Sequence, residues 1–194
     1  MATELTKDKA ATPDQADTRQ RILTAACAIV VRDGYASLTL DAVAKEAAVS
    51  KGGLLYHFPS KRALLEGMVE QRCKHFEQEV YKHLEHEKGP GRWLRAIVRA
   101  SCSPKPVALQ EGAAIFAVLA NDPELLDVIR KRRESFEREI ARDDEVDPTR
   151  ADLVRLAVHG MCFNDLLGAG FAPAGEQRER VVAMLLDMTR QTKT

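Results

Sequence analysis

The sequence predicts an all-α protein in which a small N-terminal helical domain is joined to a larger C-terminal helical domain. Apolar residues recur every three or four positions along most of the chain, which is the period of an amphipathic helix. Glycine and proline clusters divide this pattern into segments of helical length, and no segment shows the two-residue period of a strand. A chain of 194 residues with 45% apolar content can bury the core of one large or two small domains.

Residues 39–61 predict two short helices that meet at a tight turn. Thr39 and Ser50 each offer a side-chain oxygen to the free backbone N–H groups of a following helix. The first helix is expected to run to about Ala47. Pro59 ends the second, because the residue before a proline disfavours the helical conformation. This pattern is typical of a helix-turn-helix, although a plain helical corner has the same spacing.

The second of these helices has two different faces on a helical wheel. Its apolar face is predicted to pack against the rest of the domain and consists of Leu54, Leu55 and Phe58. Its opposite face combines residues without side chains, an aromatic ring and an imidazole, namely Gly52, Gly53, Tyr56 and His57. Such a face allows close approach to a phosphate backbone, and Lys51 and Lys61 place positive charge beside it.

Charge is distributed unevenly along the chain. Residues 18–63 contain seven lysines and arginines against three acids, which gives a net charge of +4. Because the whole chain contains 29 residues of each sign, the remainder carries −4. A basic module attached to a body that need not touch a polyanion favours DNA binding over a plain helical corner.

A combined motif extends over residues 18–66, about a third of the chain. Its segments are residues 19–26, 33–39, 48–50, 54, 57–58, 60–61 and 64–65. Together they resemble the N-terminal DNA-binding domain of the TetR family of transcriptional regulators. The resemblance implies a helix-turn-helix DNA-binding domain over residues 18–64. It implies a helical ligand-binding and dimerisation domain over residues 65–194.

The resemblance also implies which residues contact DNA. The matching positions are Thr39, Ser50, Lys51, Gly52, Tyr56, His57 and Lys61, and Gly53 joins them on the exposed face. Two residues depart from the family pattern. Leu55 replaces a common aromatic residue, which removes one expected phosphate contact, and Ala48 replaces the usual glycine, so the turn must tolerate a Cβ.

Beyond this domain the periodicity predicts six further helices. Their expected bounds are 61–87, 92–101, 107–120, 124–142, 148–168 and 176–192. Ser60 caps the first of them, and Asp147 followed by Pro148 begins the fifth. Proline-containing segments separate the others.

The family resemblance implies that the last two helices pair with their copies in a second chain to form a homodimer. The candidate interface residues are Leu153, Ala157, Gly160, Met161, Asn164, Val181, Val182, Leu185 and Met188. The large apolar residues that are candidates for an effector cavity are Trp93, Ile97, Phe116, Leu119, Met161 and Phe163. Glu111, His159 and Asp165 are candidate polar contacts, and the sequence leaves both a cationic and an anionic effector open.

The cysteines are too widely spaced for a metal site. Cys27 and Cys73 are expected in the core, whereas Cys102 is expected to be an exposed thiol, with a redox switch as a minor alternative. Three histidines are predicted on one helix: His75, His83 and His86. Their spacing favours a solvated helical face over a metal site.

The remaining sequence excludes other classes of protein. No run of about 18 apolar residues is present to span a membrane. The first 17 residues are polar, which predicts a flexible arm and a cytoplasmic protein. No catalytic motif appears, so we expect no enzyme activity, no metal and no cofactor.

These patterns predict a homodimer that binds double-stranded DNA and regulates transcription. The favoured form is a repressor that a small-molecule effector releases from a palindromic operator. The alternatives are a ligand-independent activator or constitutive regulator and, more distantly, a helical enzyme or adaptor.

Overall fold

The computed structural model describes residues 13–102, 106–141, 146–168 and 170–190. The nine α-helices in these ranges are α1 (Pro13–Asp33), α2 (Leu40–Glu46), α3 (Lys51–His57), α4 (Lys61–Leu84), α5 (Arg92–Cys102), α6 (Pro106–Asn121), α7 (Leu126–Ala141), α8 (Pro148–Leu167) and α9 (Gly175–Met188). Short 3-10 turns at Tyr35–Ser37 and Pro123–Leu125 precede α2 and α7. The predicted all-α fold is confirmed. Within the described ranges, no helix combines the length and apolarity needed to cross a membrane.

The largest difference from the predicted helix bounds is at the start of α1. This helix begins at Pro13, so residues 13–17 are helical where a flexible arm is expected. Proline suits the first position of a helix because its φ is already helical and its missing N–H has no partner there. The rest of the predicted arm, residues 1–12, lies outside the described residues. So do the predicted ends Arg142 and Thr192 of the helices observed as α7 and α9.

Four predicted N-caps are confirmed by hydrogen bonds. The side-chain oxygens of Thr39, Ser50, Ser60 and Asp147 each accept from the backbone N–H three residues on, at 3.0 to 3.1 Å. Each cap fixes where its helix begins, because it satisfies one of the free N–H groups of the first turn. The starts of α2, α3 and α4 are therefore set by local sequence.

One apolar core joins the head (α1 to α3) to the body (α4 to α9). Ile22 of α1 is fully buried in the same cluster as Ile115 and Val118 of α6. At the start of α4, Nη1 of Arg62 donates to both carboxylate oxygens of Asp122, at 2.9 and 2.8 Å, just beyond the end of α6. Packing is therefore continuous across the predicted domain boundary, whose position stays a prediction. α6 therefore packs against the head as well as against the body.

The turn between α2 and α3 holds a residue in the left-handed conformation. Ala48 has a φ of +53°, and no other described residue except glycine has a positive φ. The Cβ makes this conformation cost about 1 to 2 kcal/mol. The N–H of the following Val49 donates to the Ala44 oxygen at 3.0 Å, which helps to hold the turn. The turn thus tolerates a Cβ, as the sequence requires.

A buried arginine holds the connection between α4 and α5. Arg95 is 5% exposed and donates to the Glu87 carboxylate at 2.6 Å. It also donates to the backbone oxygens of Pro90 and Lys88 at 2.8 and 2.7 Å. Arg99 donates to the other Glu87 oxygen at 2.7 Å from an exposed position. This network fixes the angle at which the chain returns from α4 into α5.

Candidate DNA-binding surface and effector cavity

The second helix of the helix-turn-helix, α3, presents its predicted polar face to solvent. Its exposed residues are Lys51, Gly52, Leu55 and Tyr56, and Leu54 and the following Phe58 are buried. The Tyr56 side chain is 71% exposed, and its ring lies edge-on to that of His57 with the centroids 5.2 Å apart. Leu55 is 36% exposed, so the prediction that it packs inward is wrong. At 100° per residue it lies well outside the narrow arc that Leu54 and Phe58 share.

The eight residues predicted to contact DNA lie on α3 or at the starts of α2 and α4. Those exposed are Thr39, Ser50, Lys51, Gly52 and Tyr56, and those partly buried are Gly53, His57 and Lys61. In the caps, the hydroxyl oxygens of Thr39 and Ser50 act only as hydrogen-bond acceptors. The O–H of each can therefore still donate to a phosphate. All eight are thus accessible to a ligand, and their contact with DNA stays a prediction.

The two lysines of this set have different surroundings. Nζ of Lys51 lies 2.9 Å from Oδ1 of Asp41 in an exposed ion pair. Nζ of Lys61 lies 4.6 Å from the centroid of the Tyr35 ring, and no described carboxylate pairs with it. Lys61 therefore offers an un-neutralised positive charge at the start of α4, which suits a phosphate contact.

We expect Lys61→Ala to weaken binding to every DNA sequence by a similar factor. Binding through one fewer lysine releases one fewer counterion from the DNA. The slope of log binding constant against log salt concentration should therefore become shallower by about one unit. Fluorescence anisotropy with two unrelated duplexes at several salt concentrations measures both quantities. Lys45→Ala, which removes an exposed lysine of α2 outside the predicted contact set, is the control. An equal change in slope for both variants would contradict a specific role of Lys61.

A cavity of about 260 Å³ lies between α4, α5, α6 and α8. Apolar groups such as Phe76, Leu109 and Leu166 form part of its wall. Its charged and titratable lining residues are Arg72, His75, Glu79, His83, Glu111 and Cys162. A concave apolar site with a few polar groups is the usual form of a small-molecule site.

The central polar contact of the cavity joins two helices. Nδ1 of His75 on α4 lies 3.0 Å from both carboxylate oxygens of Glu111 on α6. The Glu111 side chain is only 12% exposed, so its charge needs a hydrogen-bond donor. A molecule that enters here and separates the pair must supply a positive charge or a hydrogen-bond donor in place of His75.

Comparison with known proteins identifies the family of this chain. Residues 22–68 match the family described as bacterial regulatory proteins, tetR family. Residues 91–190, just over half of the chain, match the tetracyclin repressor-like C-terminal domain. The chain belongs to the TetR family. It is a transcriptional regulator with an N-terminal helix-turn-helix domain, and its relatives are regulators and not enzymes.

Two curated relatives of this TetR-family regulator come from Pseudomonas putida. The helix-turn-helix regulator TtgW is 30% identical over 95 residues, which cover 49% of this chain and 71% of TtgW. The regulator SrpR is also 30% identical over 95 residues, but the match covers only 45% of SrpR. The chain therefore matches about half the length of SrpR.

Solved structures share the fold along almost the whole chain. A TetR-family member from Streptomyces coelicolor A3 has a TM-score of 0.67 at 23% identity, over 89% of this chain and 98% of its own. The multidrug binding protein EbrR, complexed with malachite green, has a TM-score of 0.64 at 25% identity, over 88% of this chain and 97% of its own.

In this TetR-family regulator, the six residues predicted to bind an effector lie outside the cavity lining. Trp93 packs edge-on against Tyr81 and Phe136, with ring centroids 5.7 and 5.8 Å apart, and Ile97 joins the same apolar cluster. Leu119 packs on the core of the head, and Met161 lies in the core between α5, α8 and α9. The rings of Phe116 and Phe163 are exposed and 5.6 Å apart. An effector role for the six stays a prediction.

An exposed apolar stripe runs along α8 of the TetR-family regulator. Its residues, spaced by three or four, are Leu153, Leu156, Gly160, Phe163 and Leu167. Leu156 is 68% exposed, as is Met184 on α9. Met161 and Leu185 are each 6% exposed and belong to the protein's own core, and their contact with a second chain stays a prediction. The exposed stripe is rotated toward Leu156 and Phe163, which are absent from the predicted interface.

The other predicted interface residues lie beside this stripe or behind it. Ala157, Val181, Val182 and Met188 are partly buried against the core that contains Leu185. Asn164 is partly exposed, and its Nδ2 donates to the Gly160 oxygen at 2.8 Å. Contact of these residues with a second chain stays a prediction.

The thiols and histidines also differ from expectation. Cys102 is 3% exposed in the last turn of α5, so the prediction of an exposed thiol is wrong. Burial raises the pKa of Cys102 to about 11, which disfavours its reactive thiolate. Cys27 and Cys73 pack against the core of the head, as expected. His75 and His83 line the cavity instead of a solvated face, and the described residues contain no group of three or more that suits a metal ion.

Proposed function

We propose that this TetR-family regulator is a homodimeric repressor that a small-molecule effector releases from a palindromic operator. The observation that carries this proposal is that one helix, α6, contacts both the cavity and the head. Glu111 lies in the cavity wall, and Ile115 and Val118 lie in the apolar core that joins the head to the body. Just beyond its end, Asp122 pairs with Arg62 at the start of α4. Function on operator DNA implies a cytoplasmic location.

The exposed stripe of α8 supports the proposed dimer. Regulators of this family dimerise, and a stripe of five residues with helical spacing is the pattern that packs against a second copy of itself. A two-fold dimer presents two copies of α3. Two recognition helices related by a two-fold axis match two half-sites, and this is why we propose a palindrome.

Release requires that the effector bind two conformations with different affinity. We propose that an effector displaces His75 from Glu111 and so changes the packing of α4 against α6. α6 shares an apolar core with α1, and Asp122 just beyond its end is hydrogen-bonded to Arg62. The change in packing therefore alters the position of the head. The coupling must be reciprocal, so operator DNA must weaken effector binding by the same factor.

The chemistry of the cavity favours an effector with a positive charge or N–H donor on an apolar body. Its wall contains two carboxylates, Glu79 and Glu111, against one arginine, Arg72. The similar protein EbrR has been solved in complexes with malachite green and ethidium. We therefore propose organic cations as the effector class, with Glu111 as the counter-ion.

Two measurements test the proposed function. Selection of bound sequences from random DNA should enrich a palindrome. Titration of the protein–operator complex with malachite green should then release the DNA, with a titration of the duplex alone as the control for direct binding of the dye. Enrichment of a palindrome without release by malachite green or ethidium would overturn the organic-cation class, and absence of release by anionic compounds as well would favour the constitutive regulator.

We expect Glu111→Gln to weaken malachite green binding by about tenfold or more, because the attraction between the cationic dye and the Glu111 carboxylate is lost in a poorly solvated site. Isothermal titration of the DNA-free protein measures this. Glu79→Gln is a matched control in the same wall. The Glu79 charge already pairs with Lys82 at 2.8 Å, so we expect a change of less than about threefold. Equal losses for the two variants would contradict the role of Glu111.

A further inference from the structure

We propose that Asp41 is a specificity-determining residue that makes Lys51 bind base edges instead of phosphates. This inference rests on the proposed DNA-binding function. Its basis is the 2.9 Å ion pair between Nζ of Lys51 and Oδ1 of Asp41. Lys51 is the cation of the recognition helix α3, and Asp41 is a carboxylate on the neighbouring helix.

The structure fixes both ends of this pair. Asp41 lies in the first turn of α2, which Thr39 caps, and Lys51 is the first residue of α3, which Ser50 caps. Both side chains are exposed, at 72% for Asp41 and 62% for Lys51. The pair therefore lies on the open surface among the predicted DNA contacts, and each cap fixes where the helix of one partner begins.

Asp41 also offsets an unfavourable position of Lys51. The backbone N–H groups at the first turn of a helix repel a cation. A carboxylate within ion-pair distance cancels that repulsion and holds the ammonium group near the start of α3. The other ion pairs of the head serve different contacts. Arg32 pairs with Asp33 and Glu46, Arg21 pairs with Asp17, and Arg19 pairs with Glu70 of α4.

The effect on DNA recognition follows from the number of donors on Lys51. Its ammonium group has three N–H donors, so it can keep its bond to Asp41 and still donate to O6 or N7 of a guanine. These acceptors are uncharged. A phosphate, in contrast, brings a second negative charge beside the Asp41 carboxylate, and like charges repel. Asp41 therefore penalises contact of Lys51 with phosphate more than contact with a base.

The two lysines of the predicted surface thus have different roles in DNA binding. Lys61 has no carboxylate partner among the described residues, so it is free to bind phosphate on any sequence. Lys51 stays paired with Asp41, so its remaining N–H donors favour an uncharged base edge over a phosphate. Discrimination arises because binding to the wrong DNA is made weaker, which is a general route to specificity.

Asp41→Asn tests this proposal without changing the shape of the side chain. We expect affinity for a non-specific duplex to rise more than affinity for the selected operator, so that their ratio falls by about fivefold. The salt slope for the non-specific duplex should become steeper by about one unit, because Lys51 then contacts a phosphate. Anisotropy titrations of the full-length protein at several salt concentrations give both quantities.

Glu46→Gln is the matched control. It removes the same charge from the same helix, but Arg32 remains bonded to Asp33. We expect it to raise affinity for both duplexes equally and to leave their ratio unchanged. In a Lys51→Ala background, Asp41→Asn should also leave the ratio unchanged, because the lysine on which Asp41 acts is absent.

The possible outcomes separate the two proposals. If the wild-type protein enriches no sequence, the DNA-binding function fails and the role of Asp41 fails with it. If it enriches an operator but Asp41→Asn and Glu46→Gln change the ratio equally, the DNA-binding function stands and the role of Asp41 is overturned. A lower ratio only for Asp41→Asn, and only when Lys51 is present, supports the inference.

Discussion

Leu156→Glu is expected to convert the regulator into a monomer and to lower operator affinity by about a hundredfold or more. Leu156 is 68% exposed in the middle of the apolar stripe of α8. In the proposed dimer the stripe packs against the second chain, so the substitution would bury one carboxylate from each chain without a partner. Loss of the second recognition helix removes the gain from binding two half-sites on one duplex.

Light scattering measures the first effect directly. The mass should fall from that of two chains to that of one chain, 21.5 kDa. Leu126→Glu is the control, because Leu126 is an exposed leucine at the start of α7, outside the stripe. It should leave both mass and operator affinity unchanged. A Leu156→Glu protein that stays dimeric would mean that another surface joins the two chains.

The sequence predicts the helix-turn-helix well because its determinants are local. Thr39 and Ser50 each bond an N–H three residues away, so the start of each helix follows from a few neighbouring residues. Pro59 stops α3 by a steric effect on the preceding residue. The strained turn at Ala48, in contrast, is indicated only by the family resemblance, because the family usually has glycine at the position where the structure shows a positive φ.

The cavity and the dimer stripe depend on how the helices are rotated against one another, which local sequence does not fix. His75 and Glu111 are 36 residues apart in sequence, and only the packing of α4 on α6 brings them together. On α8, apolar residues occur on both the buried and the exposed side, so periodicity alone does not decide between Met161 and Leu156. The pattern Leu153, Leu156, Gly160, Phe163 and Leu167 could have indicated a second apolar face.

Arg95→Met is expected to lower the free energy of unfolding by about 3 to 5 kcal/mol. Methionine keeps most of the apolar volume but removes the charge, the bond to Glu87 and the bonds to two backbone oxygens. Breaking a buried ion pair by removing one partner leaves the other charge without full compensation. For a chain of this size the melting temperature should fall by about 10 °C, measured by circular dichroism at one fixed protein concentration because dimerisation adds to stability.

Two comparisons identify burial as the cause. Arg99→Met removes the other partner of Glu87, but the Arg99 side chain is 43% exposed, so we expect the free energy of unfolding to fall by less than about 1 kcal/mol.

The second comparison is the dependence of stability on pH. Burial alone would raise the pKa of Glu87, but hydrogen bonds from Arg95 and Arg99 bring it below its usual value. The stability from the ionised carboxyl is therefore fully present near pH 7 and is lost as pH falls through the lowered pKa. The deficit of Arg95→Met should accordingly be largest near pH 7 and shrink as pH falls through the lowered pKa of Glu87, because below that pH the carboxyl is protonated in both proteins. A deficit that stays constant down to that pH would mean that lost packing, and not the buried charge pair, explains the destabilisation.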